Sequence, residues 1–286
     1  MEVVYLKISF IGAGKVGFSL GKYFSVNNLN VKGYYSKSFK SSKEAAKFTN
    51  STAYEDIKEI VNDSDILFIT TPDDVIFNIW QQISKLNLKN KIICHTSGSL
   101  SSRIFSNANN SGAYVYSVHP MFPFSDKLNS YKKLKQAYFS IEGDKTHIED
   151  LKNLLECLGN KVVVINGEKK HLYHLANVTV SNLALALLNL GCKYMENCGV
   201  SSEDSLKALF PLIESNIMNI KERGFLKSIT GPIERGDIGT VMSHLEVIPD
   251  EDKPLYKNLS LVLLQIAREK HSEKDYSKLN EILGGI

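Results

Sequence analysis

Short apolar, β-branched runs alternate with helical patterns through the first part of the chain. The runs cover residues 7–11, 31–35, 66–70, 91–95, 114–118, 137–142 and 161–165. Near-continuous apolar strands separated by helices are typical of a parallel sheet that is covered by helices. The pattern predicts an α/β domain over residues 1–166, with a doubly wound parallel Rossmann sheet.

The pattern changes after residue 166, where apolar positions recur at helical spacing. Residues 172–197 are apolar on most faces, and residues 202–210, 213–223 and 254–269 keep a helical period. A helix that is apolar on most faces is buried in a bundle or against a second subunit. We therefore expect an all-helical domain over residues 167–286 that helps to bind substrate and forms a homodimer.

Charge and composition narrow the class of partner. The 286 residues include 34 Lys and Arg against 31 Asp and Glu, so the net charge is +3. This balance gives no basic surface for nucleic acid or an anionic membrane. Unbroken apolar stretches fall short of the ~18 residues of a membrane span, and the N-terminus lacks the pattern of a signal peptide. The four cysteines form no CxxC pair, which argues against a metal site. We expect a cytoplasmic protein with a small-molecule partner.

A glycine motif directly follows the first predicted strand. The three glycines of residues 12–17 have the G-x-G-x-x-G spacing of a dinucleotide-binding turn, and a helical pattern follows them. The first glycine permits a tight turn, the second lets the backbone approach a pyrophosphate, and the third lets helix and strand pack closely. The predicted cofactor-binding residues here are Gly12, Ala13, Gly14, Lys15, Val16 and Gly17. The alternative is a glycine turn that only packs.

The end of the second strand favours NADP over NAD. An NAD-binding protein normally carries Asp or Glu at this point, to bind the ribose 2′-hydroxyl. This chain has Ser36, Lys37 and Ser38 instead, which can hold a 2′-phosphate and do not repel it. Alternatively, Lys37 is a solvated loop lysine.

Two further loops follow predicted strands. Ligands of open α/β sheets bind outside the carboxyl ends of the strands. We therefore expect Thr71 and Pro72 on the adenosine side of the cofactor. The residues expected near the nicotinamide are His95, Thr96, Ser97 and Gly98. Serine and threonine before glycine are also ordinary loop residues.

Three longer motifs carry a family resemblance. Residues 117–124 read Ser-Val-His-Pro-Met-Phe-Pro-Phe, residues 173–176 read Tyr-His-Leu-Ala, and residues 230–237 read Thr-Gly-Pro-Ile-Glu-Arg-Gly-Asp. With these motifs the chain resembles a Rossmann-like family that has a C-terminal helical domain of unknown function. That family lies within the superfamily of pyrroline-5-carboxylate reductase, the β-hydroxyacid dehydrogenases and F420-dependent NADP oxidoreductases. The resemblance implies a Rossmann sheet, a helical second domain and dimerisation through that domain.

One departure from the superfamily bears on the reaction. In β-hydroxyacid dehydrogenases a lysine and, four residues later, an asparagine polarise the substrate carbonyl. Here Lys170 is followed four residues later by His174, and Asn177 comes three residues after that. The missing pair argues against a simple 3-hydroxyacid dehydrogenase. Pyrroline carboxylate reductases hold their substrate with a glycine- and threonine-rich loop, and residues 230–237 are the candidate counterpart.

The candidate catalytic residues follow from what hydride transfer requires. Reduction of C=O or C=N needs a proton or hydrogen-bond donor at the heteroatom, a role that histidine performs near neutral pH. His174 and Asn177 share one helix face with Ser181, so they line a cleft or form a buried network. His174 is the first candidate for proton donor, and Asn177 and Asn182 are candidates for orientation. His119 is a further candidate, with a structural histidine as its alternative.

Arg235 completes the predicted site. Its guanidinium could bind a substrate carboxylate in a fork, or form an ion pair with Asp237 that holds the turn. The sequence thus predicts an NADP-dependent oxidoreductase that transfers hydride to a carbonyl or imine of a small carboxylate-bearing metabolite. The alternative is a non-catalytic NADP-binding protein with a regulatory or scaffold role.

Overall fold

One eight-stranded sheet organises the first part of the chain. The computed structural model describes residues 6–285. The strand order is β3-β2-β1-β4-β5-β6-β7-β8. The strands are β1 (Ile8–Ile11), β2 (Val31–Tyr35), β3 (Thr52–Tyr54), β4 (Ile66–Ile69), β5 (Ile92–His95), β6 (Tyr114–Met121), β7 (Tyr138–Gly143) and β8 (Lys161–Val164).

The sheet is parallel from β3 to β6. The pair β6 and β7 is antiparallel, and β8 pairs parallel with β7. The predicted Rossmann sheet is therefore confirmed, with a reversal in its last two strands. The sequence pattern missed β3, because three residues are too few to show a strand period.

Helices cover both faces of this sheet. They are α1 (Lys15–Val26), α2 (Phe39–Thr49), α3 (Ile57–Asn62), α4 (Asp73–Ile83), α5 (Ala108–Ser111), α6 (Ile148–Glu156) and α7 (Lys170–Val180). Phe68 lies in the core under α1, α2 and α6, whereas its neighbours Leu67 and Ile69 lie in the core under α3 and α4. Because successive strand residues point to opposite faces, burial on both faces produces the unbroken apolar runs.

The second part of the chain is helical. After α7 come α8 (Asn182–Asn197), α9 (Ser202–Ser228), α10 (Pro232–Arg235), α11 (Ile238–Val247), α12 (Lys253–Lys270) and α13 (Ser277–Leu283). No strand follows β8 within the part of the chain that the structure describes. Val241, Leu264 and Leu279 belong to the core of this part. The two helical patterns predicted at 202–210 and 213–223 form one helix, which continues through Pro211 and breaks at Gly224.

The chain divides into two compact units after Leu183, later than the expected domain boundary at residue 166. Helix α7 belongs with the sheet, because Lys170 and Tyr173 form hydrogen bonds with side chains of β6. A sequence pattern records where helical spacing begins, but does not show what the helix packs against.

An apolar stretch runs through α7 and α8. The helical run Gly167–Asn197 is long and apolar enough to cross a membrane by length and composition, and none of its most apolar 18-residue window is buried. The run contains no unbroken apolar stretch of that length, because polar residues such as Asn177 and Ser181 interrupt it. Helices in the core of soluble proteins meet the same criterion of length and composition. Because the apolar window is not buried within the described residues, residues 167–197 present an uncovered apolar surface.

Candidate functional site

The glycine turn after β1 combines two crowded positions with one open position. Gly12 has a φ of +116°, and a Cβ there would lie 2.9 Å from the carbonyl carbon of Thr70. A Cβ on Gly17 would collide with Thr70 Oγ1 and the carbonyl oxygen of Gly12. A Cβ on Gly14 would meet no atom within 4 Å. Protein packing therefore explains the glycines at 12 and 17, but not the glycine at 14.

The start of α1 is free to bind an anion. Gly14 is the N-cap residue, no side chain caps the helix, and its first turn carries no acidic residue. Helix N-termini present unpaired N–H groups and a positive dipole end, which suit a pyrophosphate. Open space at Gly14 beside this N-terminus fits a dinucleotide better than the alternative of a packing turn.

The end of β2 adjoins the glycine turn. The carbonyl oxygen of Tyr35 accepts a hydrogen bond of 2.8 Å from the N–H of Gly12. Lys37 and Ser38 are exposed, and Lys37 forms no ion pair with a described residue. Ser38 precedes α2 without capping it through its side chain. The residues predicted to hold a 2′-phosphate are therefore free to do so, and no carboxylate lies among residues 36–43.

Hydrogen bonds join the loops after β4 and β5. Asp73 Oδ2 accepts from Ser97 Oγ and from Ser99 Oγ, both at 2.7 Å. Ser97 Oγ in turn accepts from the N–H groups of Ser99 and Leu100. Next to this cluster, Pro72 precedes α4, and the hydroxyl of Thr71 is buried without a partner among the described residues. The predicted cofactor loops thus form one connected edge.

His95 supports this edge from the interior of the protein. Its side chain is fully buried, packs 5.3 Å from the ring of Phe105, and accepts the N–H of Ser97 at Nδ1. Burial lowers the pKa of His95 to about 4, so the imidazole is neutral. Thr96 and Gly98 are half-buried. Of the predicted nicotinamide loop, they and not His95 offer surface to a ligand.

A buried lysine connects α7 to the loop after β5. The side chain of Lys170 is 1% exposed, and its Nζ donates to Ser117 Oγ at 2.8 Å. Ser117 Oγ donates onward to the carbonyl oxygen of Ser97, at 3.3 Å. Burial lowers the pKa of Lys170 to about 8, against the opposing effect of the Glu142 and Asp73 carboxylates. This ammonium group supports the loop from inside the protein, where it is closed to solvent.

The two candidate histidines lie beside Gly98. A Cβ on Gly98 would lie 2.9 Å from His119 Nε2 and 2.8 Å from His174 Cδ2. His119 Nδ1 forms a 2.7 Å hydrogen bond with the hydroxyl of Tyr173. Burial, together with the charges of Lys170 and His174, lowers the pKa of His119 to about 3. His119 is therefore a neutral hydrogen-bonding group, and the predicted loop and both histidines come together.

Among the described residues, the amides of Asn177 and Asn182 form no hydrogen bond with these histidines. Asn177 Nδ2 donates to the carbonyl oxygen of Tyr173, one helical turn earlier. The Oδ1 of Asn182 accepts from Ser181, which also donates to the carbonyl oxygen of Asn177. Asn182 and Ser181 are exposed. Asn177 is half-buried. The roles of both amides, in a cleft or in a polar network, stay predictions.

Arg235 lies in the second unit, in a turn held by other contacts. Glu234 Oε1 lies 2.9 Å from Lys270 Nζ and 2.7 Å from His271 Nε2. Arg235 reaches Asp237 only at 3.9 Å, and its side chain is 60% exposed. Asp237 mainly caps α11, accepting from the N–H of Thr240. The ion pair proposed as the alternative for Arg235 is present, but it leaves most of the guanidinium accessible.

Three residues of this site have roles that the sequence did not predict: Lys170 as a buried support, Ser117 as its partner, and Tyr173 as the partner of His119. One signal was available, because a lysine that begins an otherwise apolar helix requires a polar partner when it is buried. The identity of the partner was not available, since it comes from β6, more than fifty residues earlier.

Family profiles match both parts of the chain. Residues 1–120 match the Rossmann-like domain, and residues 137–262 match a domain of unknown function, DUF2520. No curated protein matches the sequence significantly.

Solved structures share the fold over nearly the whole chain. Protein TM1727 from Thermotoga maritima is 27% identical, with a TM-score of 0.73 over 92% of this chain and 99% of its own. Plasmodium falciparum pyrroline carboxylate reductase, solved with NADP bound, is 16% identical, with a TM-score of 0.64 over 94% and 97%. A reductive aminase from Aspergillus terreus, in complex with NADPH and ethyl-5-oxohexanoate, is 14% identical, with a TM-score of 0.65 over 97% and 99%. The two profile matches bear out the family resemblance seen in the sequence, in which a Rossmann-like region is followed by a region that matches a domain of unknown function.

Proposed function

We propose that this protein is an NADP-dependent oxidoreductase that reduces a carbonyl or imine of a small, carboxylate-bearing metabolite. The observation that carries the proposal is the open position of Gly14 at the uncapped start of α1. The hydroxyl and lysine side chains of Ser36, Lys37 and Ser38 favour the phosphorylated cofactor. Structures of the same fold include a reductase with NADP and an aminase with NADPH.

When bound, the nicotinamide would supply the hydride. The N–H groups of residues 12–17 would hold the pyrophosphate, and Thr71, Pro72 and Thr96 would border the cofactor at the ends of β4 and β5. Ser97 is held by Asp73 and His95 and fixes the path of that loop.

The two histidines would have different roles. A proton donor must be protonated before it can act. The pKa of His119 is about 3, so at neutral pH its ring is neutral and carries no additional proton to donate. His119 is thus a hydrogen-bonding group, oriented by Tyr173. His174, whose ring also lies beside Gly98, remains the candidate proton donor. Asn177, Asn182 and Arg235 remain the candidates for orienting the substrate and binding its carboxylate.

A non-catalytic NADP-binding role is the competing function. One observation favours it: the lysine–asparagine spacing of the β-hydroxyacid dehydrogenases is missing at Lys170, and Lys170 itself is enclosed in the protein. Substrate-dependent oxidation of NADPH separates the two functions. Screening keto acids and cyclic imines for loss of NADPH absorbance, with and without ammonia, should identify a turned-over compound. Tight NADPH binding without turnover of any compound would favour the regulatory role.

We further propose a cytoplasmic homodimer that uses the C-terminal helices. Large apolar side chains are exposed on α8 and α9, among them Leu183, Leu185, Leu206, Phe210 and Leu212. An uncovered apolar surface of this extent is typical of an interface. We propose that a second copy of the chain packs against this surface, because a homodimer would shield the apolar side chains of both helices from water without another protein. Nucleic acid is not among the proposed partners, since the net charge is only +3.

A further inference from the structure

The hydrogens that each group carries fix the direction of the two hydrogen bonds that connect Lys170, Ser117 and Ser97. An ammonium group has hydrogens but no lone pair, so Ser117 Oγ must accept from Lys170 Nζ. The hydroxyl hydrogen of Ser117 is then free to donate to the carbonyl oxygen of Ser97. A hydrogen bond from a hydroxyl that itself accepts from a cation is strengthened. The Ser97 carbonyl is therefore held toward the interior of the sheet.

The same bond sets the direction of the next N–H group. The described chain has no cis peptide bonds, and in a planar trans peptide the C=O and N–H point in opposite directions. With the Ser97 carbonyl directed toward Ser117 on β6, the N–H of Gly98 points away from Ser117. Gly98 is half-buried, and its N–H donates to no described residue. An unpaired backbone donor of this kind requires a partner from water or a ligand.

The surroundings of Gly98 favour a ligand oxygen. His119 Nε2 has no hydrogen-bond partner among the described residues, and a Cβ on residue 98 would lie within 3 Å of both this atom and the ring of His174. A side chain on residue 98 would fill the space beside them, so glycine keeps the donor accessible. Ser97 is also fixed through its hydroxyl by Asp73. The peptide is thus clamped on its inner side and open on its outer side.

We propose that the N–H of Gly98 binds a carbonyl-type oxygen of the ligand, and that Lys170, acting through Ser117, is the positioning residue that holds this donor outward. The oxygen belongs either to the carboxamide of the nicotinamide or to the carbonyl or carboxylate of the substrate. This inference rests on the proposed function. It adds an oxygen-binding group that does not depend on either histidine.

The sequence offers a selective probe of this peptide. Serine directly precedes glycine only at Ser97–Gly98 and Ser111–Gly112. With carbonyl-¹³C serine and ¹⁵N glycine, a spectrum that correlates each amide with the preceding carbonyl contains two peaks. The Gly112 N–H donates to Asn109 in a turn before β6 and provides the internal reference.

In the ligand-free protein, Ser117→Ala should shift the Ser97–Gly98 peak and leave the reference in place. Ser117→Thr, which keeps the hydroxyl, should restore the position. Ser205→Ala, which changes a buried serine without a partner in the second unit, is the matched control and should move neither peak.

The Ser97–Gly98 peak should also titrate as Lys170 loses its proton, and Lys170→Met should abolish that titration. Other ionisable groups face the lysine, so each pH series is compared with that of Lys170→Met. These groups are Glu142, Asp73, His95, His119 and Tyr173. An unmoved peak in Ser117→Ala would overturn the positioning role.

Ligand addition tests the donor itself. NADP⁺ should move the Gly98 proton downfield if the carboxamide oxygen binds there, and 2′-phospho-ADP-ribose, which lacks the nicotinamide, should not. A shift that appears only when pyruvate joins NADP⁺ assigns the oxygen to the substrate. A Gly98 peak that stays still in all these additions, while other labelled glycines shift, would overturn the proposal and leave the nucleotide site intact. If no glycine responds to NADP⁺, the proposed function fails together with this inference.

Discussion

The hydroxyl of Tyr173 lies 2.7 Å from Nδ1 of His119, with the two rings nearly perpendicular. This contact joins helix α7 to strand β6, and thereby joins two motifs that are more than fifty residues apart in the chain. Lys170 makes a parallel connection to Ser117 on the same strand. Both contacts place the first turns of α7 at the carboxyl edge of the sheet, where His174 meets Gly98.

Substitution of two glycines separates nucleotide binding from packing. Gly14→Ala should cost less than about 1 kcal/mol in unfolding free energy, because the new methyl group meets nothing, yet it should weaken NADPH binding. Gly17→Ala should lower the melting temperature markedly, because its methyl group collides with Thr70 and Gly12. Thermal unfolding and NADPH titration of both variants check this. Unchanged NADPH affinity in a folded Gly14→Ala protein would support a turn that only packs.

His174 should matter for turnover and not for cofactor binding. His174→Gln should lower kcat by about 10²- to 10⁴-fold, the usual contribution of a general acid, and leave NADPH affinity nearly unchanged. His171→Gln, on the exposed side of the same helix, is the matched control and should retain activity. Steady-state kinetics with a substrate found by screening provides the measurement. Full activity in His174→Gln would remove this residue from the mechanism.

The buried lysine should give the protein a characteristic pH dependence. Burial lowers the pKa of Lys170 from 10.5 to about 8, so between these values the unfolded chain binds more protons than the folded one. The contribution of Lys170 to the unfolding free energy should therefore rise with pH from about 8 toward 10.5. Urea unfolding of wild type and Lys170→Met at several pH values isolates this contribution, since other groups cancel in the difference. A difference that stays constant over that range would contradict the lowered pKa.

The exposed apolar helices should form the dimer contact. Light scattering after size exclusion should give the mass of a dimer for the wild type. Leu185→Glu or Leu206→Glu should shift the mass toward the monomer, because each places a charge on the apolar surface. Leu128→Glu is a matched control, since Leu128 is an exposed leucine outside these helices. A wild-type monomer, or binding of the wild type to lipid vesicles in place of dimerisation, would contradict the proposed second copy.

Much of the fold was predictable because its signals are local. The glycine spacing at 12–17, the apolar strands and the helical period after residue 166 are each contained in short stretches of sequence. The alternation of Leu67, Phe68 and Ile69 between two cores explains why the strands read as unbroken apolar runs.

What the sequence did not predict depends on long-range contacts. The reversal at β7, the burial of Lys170 and the attachment of α7 to β6 all join residues far apart in the chain. His95 illustrates the limit: its position at the end of β5 predicted a place near the cofactor, but only its burial and its packing against Phe105 show that its ring lies in the core.

Fluorescence titration with NADPH and NADH tests the central claim most directly. Wild-type protein should bind NADPH more tightly than NADH. Lys37→Glu should weaken NADPH binding on the order of 10- to 100-fold, which corresponds to losing a charge-assisted hydrogen bond, and should leave NADH binding nearly unchanged. Lys58→Glu, an exposed lysine on α3, should bind both cofactors as the wild type does. Failure of the wild type to bind either nucleotide at millimolar concentration would contradict the oxidoreductase account.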